Sequence, residues 1–126
     1  MGALIAVAVG GAAGSVARYL LAGWIGRFEG AGFPWGIMAI NILGSFAMGV
    51  VVEGAALRWN LSNELRAFIA VGILGGFTTF SSFSLDAALL IQRNELAAAG
   101  GYIVGSVALS IGALFIGLLL TRHLVG

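Results

Sequence analysis

Cysteine is absent from this chain, which excludes disulfides and thiolate metal sites and leaves its redox compartment open. Lysine is absent as well, and only 9% of the residues are charged. A soluble domain carries about 25% charged residues, so a water-exposed surface cannot be built from this composition. One proline and one histidine are present, and a single His without companions does not make a metal site. No glycine-rich nucleotide loop, nucleophile–base pair or metal cluster stands out, so nothing supports an enzyme. Nothing basic is clustered for nucleic acid either. What remains is 60% hydrophobic, with mean hydropathy +1.09 over 126 residues. Spans of roughly 20 residues with short connections allow four membrane helices and no soluble domain. Met1 to Val9 has no basic region or convincing cleavage site, and is expected to open the first helix rather than to act as a leader.

The pattern predicts one all-α transmembrane domain over residues 1–126, with helices at about 3–25, 35–57, 65–91 and 96–120. The connections Gly26–Pro34, Arg58–Glu64 and Gln92–Glu95 are short and charged. Pro34 falls just before the second helix, where a missing N–H is harmless. Trp24, Trp35 and Trp59 lie at span ends, as interfacial aromatic anchors do. Ser62 with Asn63 suits the start of the third helix as a cap, and Asn94 the start of the fourth.

The third apolar stretch is the most informative. Its centre reads Gly75-Gly76-Phe77-Thr78-Thr79-Phe80-Ser81-Ser82-Phe83-Ser84. Paired glycines weaken a helix, and irregular backbone at membrane depth is tolerated only where protein or a water-filled cavity surrounds it. A break at Gly75-Gly76 would free carbonyls for a hard cation; a kink or close helix contact would use the same glycines. Phe80 and Phe83 lie on one helix face, and the positive ring edge of each can meet a small anion. Asn41 is followed at four-residue spacing by Ser45 and Gly49, so its two amide donors serve either an anion or a neighbouring helix. Tyr102, Ser106 and Ser110 form a stripe on the fourth helix, which suits an ion track or close packing alongside Gly101 and Gly105. Arg18 is placed to snorkel to the interface or to lend positive potential to a vestibule. Glu53 and Asp86 are the acids nearest the membrane interior, and His123 is expected at the interface.

The six arginines divide evenly. Arg58, Arg66 and Arg122 belong to the side holding both termini; Arg18, Arg27 and Arg93 belong to the other. That balance sets no preferred orientation. Two readings stand: insertion both ways with pairing of opposed copies, or a chance balance in which Arg18 should not be scored.

Phe33-Pro34-Trp35-Gly36 followed by Asn41, the Gly-Gly-Phe-Thr-Thr-Phe-Ser-Ser-Phe-Ser run, and then Tyr102, Ser106 and Ser110 resemble the Fluc family of bacterial fluoride channels, also called CrcB proteins. The resemblance covers essentially the whole chain. It implies a multi-pass protein of the bacterial inner membrane, working in the bilayer as an antiparallel, dual-topology homodimer with two fluoride pores. It implies that Asn41 donates to fluoride, that Phe80 and Phe83 present ring edges, and that Tyr102, Ser106 and Ser110 form the polar track. It implies a structural Na⁺ between the subunits, held by the backbone carbonyls of Gly75 and Thr78. Arg18 matches the family's basic residue near the vestibule. Asp86 stands where some members have Glu, and Ile37 where some have Thr. The rival reading is a small proton-coupled multidrug exporter, which needs a carboxylate deep in its first helix; the stretch Ala3–Ile25 has none. A non-conducting subunit of a larger membrane complex would explain neither the hydroxyl-rich break nor the balanced charge.

Overall fold

Apolar runs longer than a bilayer is thick leave the backbone no partners but its own, and the chain is accordingly helical almost throughout. A computed structural model describes residues 1–29 and 32–126. Helix α1 is Gly2–Glu29, α2 is Trp35–Leu57, and the third span, Asn63–Gln92, is composite. It begins with α3 (Asn63–Arg66), widens into a π-helical stretch (Ala67–Leu74), returns to α-helix in α4 (Gly75–Phe77) and resumes as α5 (Phe80–Gln92). Helix α6 is Leu96–Val125. Four spans long and apolar enough to cross a bilayer are present among the described residues, making this a multi-pass membrane protein. Large apolar side chains such as Leu4, Leu20 and Ile116 stay exposed for lipid.

Local chemistry accounts for most of the boundaries. Pro34 precedes α2, and Ser62 caps α3, its hydroxyl accepting the Leu65 N–H at 3.1 Å. Helix α1 runs four residues past the expected end, carrying Arg27 and Glu29 with it. Glu29 therefore sits on the first helix, but at its last residue, where its carboxylate accepts the Gly36 N–H at the start of α2. Gly30 and Ala31, within the expected loop Gly26–Pro34, lie outside the described residues. Asn94 does not cap α6. It adopts φ 63° and ends the preceding helix, a left-handed position that Asn tolerates, while Glu95 precedes α6 without a side-chain cap.

Consecutive spans alternate in direction, so α1 runs with the third span and α2 with α6. Glycine lets both pairs close. A Cβ on Gly49 would overlap the Leu114 carbonyl, and one on Gly117 the Phe46 carbonyl, so α2 and α6 meet backbone to backbone. On the other side, Gly10 faces the Phe68 carbonyl and Gly14 the Ile73 carbonyl. Four residues on α1 thus match five on the third span, the offset that i→i+5 winding introduces. At their shared end α2 and α6 are tied by Arg122 donating to the buried Glu53, with Arg58 donating to the Val125 carbonyl at 2.5 Å.

The third span changes partners partway. Its first half packs on α1, whereas α5 packs on α6 and α2. There Met38, Phe83, Ala87, Leu90, Ala99 and Tyr102 form the buried apolar cluster, with Ile37 at its edge. The switch occurs where the helix breaks.

Candidate functional site

The break lies at the threonines and not at the paired glycines. Gly75 and Gly76 remain helical, while Thr78 (φ −82°, ψ 157°) and Thr79 (φ −152°, ψ 124°) are extended. Gly76 serves close approach instead: a Cβ there would meet the Gly11 carbonyl at 2.7 Å. Threonine's branched Cβ suits extended backbone, and its hydroxyl caps helix ends. Both uses are realised. Thr78 Oγ1 donates back to the Leu74 carbonyl at 3.0 Å, and Thr79 Oγ1 accepts the Ser82 N–H at 3.1 Å, starting α5.

Two extended residues inside a span expose backbone groups that lipid cannot satisfy. Asn41 answers for Thr79. Its Oδ1 accepts the Thr79 N–H at 2.8 Å and its Nδ2 donates to the Thr79 carbonyl at 3.1 Å, so one side chain pairs both backbone groups as a neighbouring strand would. An amide has two N–H donors, and this leaves one for another partner. Gly44, about one turn further along α2, makes room for the Thr78 methyl. Because the Thr79 N–H is turned toward Asn41, it no longer serves the carbonyl of Gly75, four residues back, and Gly75 itself is exposed.

Beside the break runs an open groove of about 360 Å³. Asn41, Gly44, Ser45 and Met48 of α2 line one side, Thr78, Thr79, Phe80 and Phe83 another, and Ser106, Val107, Ser110 and Leu114 of α6 the third. The Ser106 and Ser110 hydroxyls are buried without a hydrogen-bond partner. An orphaned hydroxyl at such depth is costly, so a pair of them facing one groove points to a ligand. Phe80 and Phe83 stand 5.5 Å apart, their planes inclined at 48°, Phe83 buried and Phe80 77% exposed. Among the described residues, no charged side chain lines the groove.

Of the residues singled out in the sequence, Asn41, Phe80, Phe83, Ser106, Ser110 and Thr78 come together at this groove. Tyr102 continues the Ser106–Ser110 stripe but is wholly buried behind Phe83, its ring 5.1 Å away, and its hydroxyl donates to Asp86 at 3.3 Å. Arg18 is half-buried on α1 and outside the groove, its Nη1 donating to the Gly76 carbonyl at 2.9 Å. Thr79 as the receiver of Asn41, and Gly44 and Met48 as lining, escaped the sequence. Only the hydroxyl of Thr79, three residues before Ser82, marked a helix start.

A family model described as "CrcB-like protein, Camphor Resistance (CrcB)" matches residues 5–118. The chain belongs to this CrcB-like family. Among its CrcB-like relatives is a protein of Rhodospirillum centenum named "Fluoride-specific ion channel FluC", 52% identical over 122 residues that cover 97% of each chain. "Fluoride-specific ion channel FluC 1" of Nitrobacter hamburgensis is 53% identical over 121 residues, 96% of each chain. "Fluoride-specific ion channel FluC" of Agrobacterium fabrum is 54% identical over 118 residues, 94% of each chain. The CrcB-like match spans the break, the groove and all three elements that line it.

Proposed function

We propose that this CrcB-like protein is a fluoride-selective channel that lets the anion leave a bacterial cell passively across its inner membrane. The carrying observation is the pair of unpartnered hydroxyls, Ser106 and Ser110, buried in a groove without a charge and flanked by two phenyl rings. Fluoride is small, hard and strongly hydrated, so a pore must replace its water with donors. Serine O–H, the spare Asn41 N–H and phenyl edges are such donors, and none holds the ion with a full opposite charge that would prevent exit. Neutral HF entering from acidic surroundings ionises inside and is trapped; a pore for the anion relieves that trap without a pump.

The groove is open, with Phe80 on its wall exposed, and Gly75, five residues earlier in the chain, is exposed as well. A second copy inserted in the opposite sense would cover that face, and the even division of the six arginines suits such dual insertion. In that antiparallel homodimer, the carbonyls of Gly75 and Thr78 from both copies are the donor set for a Na⁺. Hard carbonyl oxygens suit that ion, and the Gly75 carbonyl has been relieved of its helical donor. Bound there, Na⁺ would supply the positive charge that holds carbonyls of two subunits together. Tyr102, one turn from Ser106, backs Phe83 and donates to Asp86, so it serves the track by holding those side chains in place.

The test is anion efflux from liposomes holding the purified protein, loaded with fluoride or with chloride and opened with a potassium ionophore. Rapid fluoride loss with chloride retained is expected. A folded protein that releases no fluoride would overturn the proposal.

Two substitutions sharpen the test. Replacing Ser106 and Ser110 together by Ala removes donors that serve no internal bond, so stability is expected to hold or rise while fluoride efflux falls at least about tenfold. A joint fall of stability and flux would mean that these hydroxyls merely support packing. Phe80→Ile keeps an exposed apolar side chain but loses the ring edge, and efflux is again expected to drop about tenfold or more with the assembly intact. Undiminished efflux would remove Phe80 from the pathway.

A further inference from the structure

We infer that Arg18 is a positioning residue for the broken third span, acting as the C-terminal cap of its first half rather than as an electrostatic lure for anions. This rests on the channel reading above. In an unbroken helix the Gly76 carbonyl would accept the N–H of Phe80, four residues on. Extended Thr78 and Thr79 carry that N–H away, leaving an acceptor at membrane depth in need of another donor. Arg18 Nη1 reaches that carbonyl at 2.9 Å, across 58 residues of sequence. A cation at the C-terminal end of a helical segment also meets the negative end of its dipole.

The approach is built into α1. A Cβ on Gly14, one turn before Arg18, would come within 2.9 Å of the Phe77 amide nitrogen, and Gly11 abuts Gly76. Helix α1 therefore lies directly against the break, on the side away from the groove. Arg18 holds Gly76 from α1 while Asn41 holds Thr79 from α2, so the extended pair is braced at both ends by different helices. Phe80 follows at once, and the direction of its ring is set by this brace. A guanidinium used in this way controls flux through backbone geometry. Its charge is spent on a carbonyl.

Salt separates the two roles. A lure is screened as the Debye length shrinks to roughly 3 Å at 1 M salt, whereas a cap bonded inside the protein is not. Fluoride efflux is measured for the parent, R18M and R18K from low to high salt in the liposome assay. The backbone bond is followed separately by solid-state NMR, with ¹³C-carbonyl glycine and ¹⁵N phenylalanine. The chain has two Gly–Phe pairs, Gly32-Phe33 and Gly76-Phe77, so two cross-peaks arise. The Gly32 carbonyl accepts from Arg93 at 3.1 Å, so R93M assigns its peak independently.

R18M is expected to lose about tenfold or more of the efflux at every salt concentration, and to move the Gly76-Phe77 peak alone. Parent efflux that falls to the R18M level at high salt, or a Gly76-Phe77 peak that stays in place, overturns the inference. Where R18M does not assemble, R18K carries the test: a moved peak with reduced flux supports the cap, and either change without the other overturns it. A parent that conducts no fluoride would instead refute the channel reading, with the NMR result still reporting on the cap.

Discussion

Asn41→Asp is expected to lower fluoride efflux at least about a hundredfold, equivalent to about 2.7 kcal/mol of barrier. Two losses combine. A carboxylate still accepts the Thr79 N–H, but it has no hydrogen for the Thr79 carbonyl, so two acceptors face each other where a donor and acceptor stood. Leaving a buried acceptor bare costs about 1–3 kcal/mol. The second loss is electrostatic: a negative charge now stands on the wall of the groove proposed to pass fluoride, repelling that ion. The substitution is nearly isosteric, so the fold should persist, as size-exclusion chromatography of the purified variant would show. Efflux at the parent rate from an intact variant would mean that Asn41 neither braces the break nor meets the ion.

Gly49→Val carries the largest expected effect on stability, a loss of about 3 kcal/mol or more. The Cβ it introduces lands on the carbonyl of Leu114, a backbone group that cannot rotate aside. The helices must part, and with them goes the matching contact between Gly117 and Phe46 on the same seam. A membrane offers no compensating hydrophobic drive between helices, so lost contact is not regained by slight separation. Gly112→Ala on α6, with open space around it, is the control and is expected to be tolerated. Unfolding in graded detergent mixtures would report both, and an unchanged midpoint for Gly49→Val would show that α2 and α6 are not held in backbone contact at this seam.

Much of the fold was legible because lipid allows few solutions. The second helix occupies the expected residues since Pro34 fixes its start and Arg58 follows its end. The first and fourth helices overran their apolar windows, because a helix continues into the headgroup region where Arg27, Glu29, Arg122 and His123 are at home. The break was legible in kind and misplaced by three residues. Glycine signals either weakness or close approach, and the sequence does not say which; here Gly75 and Gly76 stay helical while branched threonines take the extended backbone. The clamp of Asn41 on Thr79 was not legible, since its partners are backbone groups 38 residues away that every residue type carries. The groove's serines were readable as a stripe, but their lack of partners required the three helices to be assembled.

The glycine seam between α2 and α6 has a consequence for how this protein can change. The spacing of two walls of the groove is set there by atoms that are missing, and nothing is smaller than glycine. Substitution along the seam therefore acts as a ratchet. It can push the walls apart and admit larger ions, but it can never draw them closer. A narrower groove has to come instead from the side chains that face it, on any of its three walls, and not from the seam that spaces them.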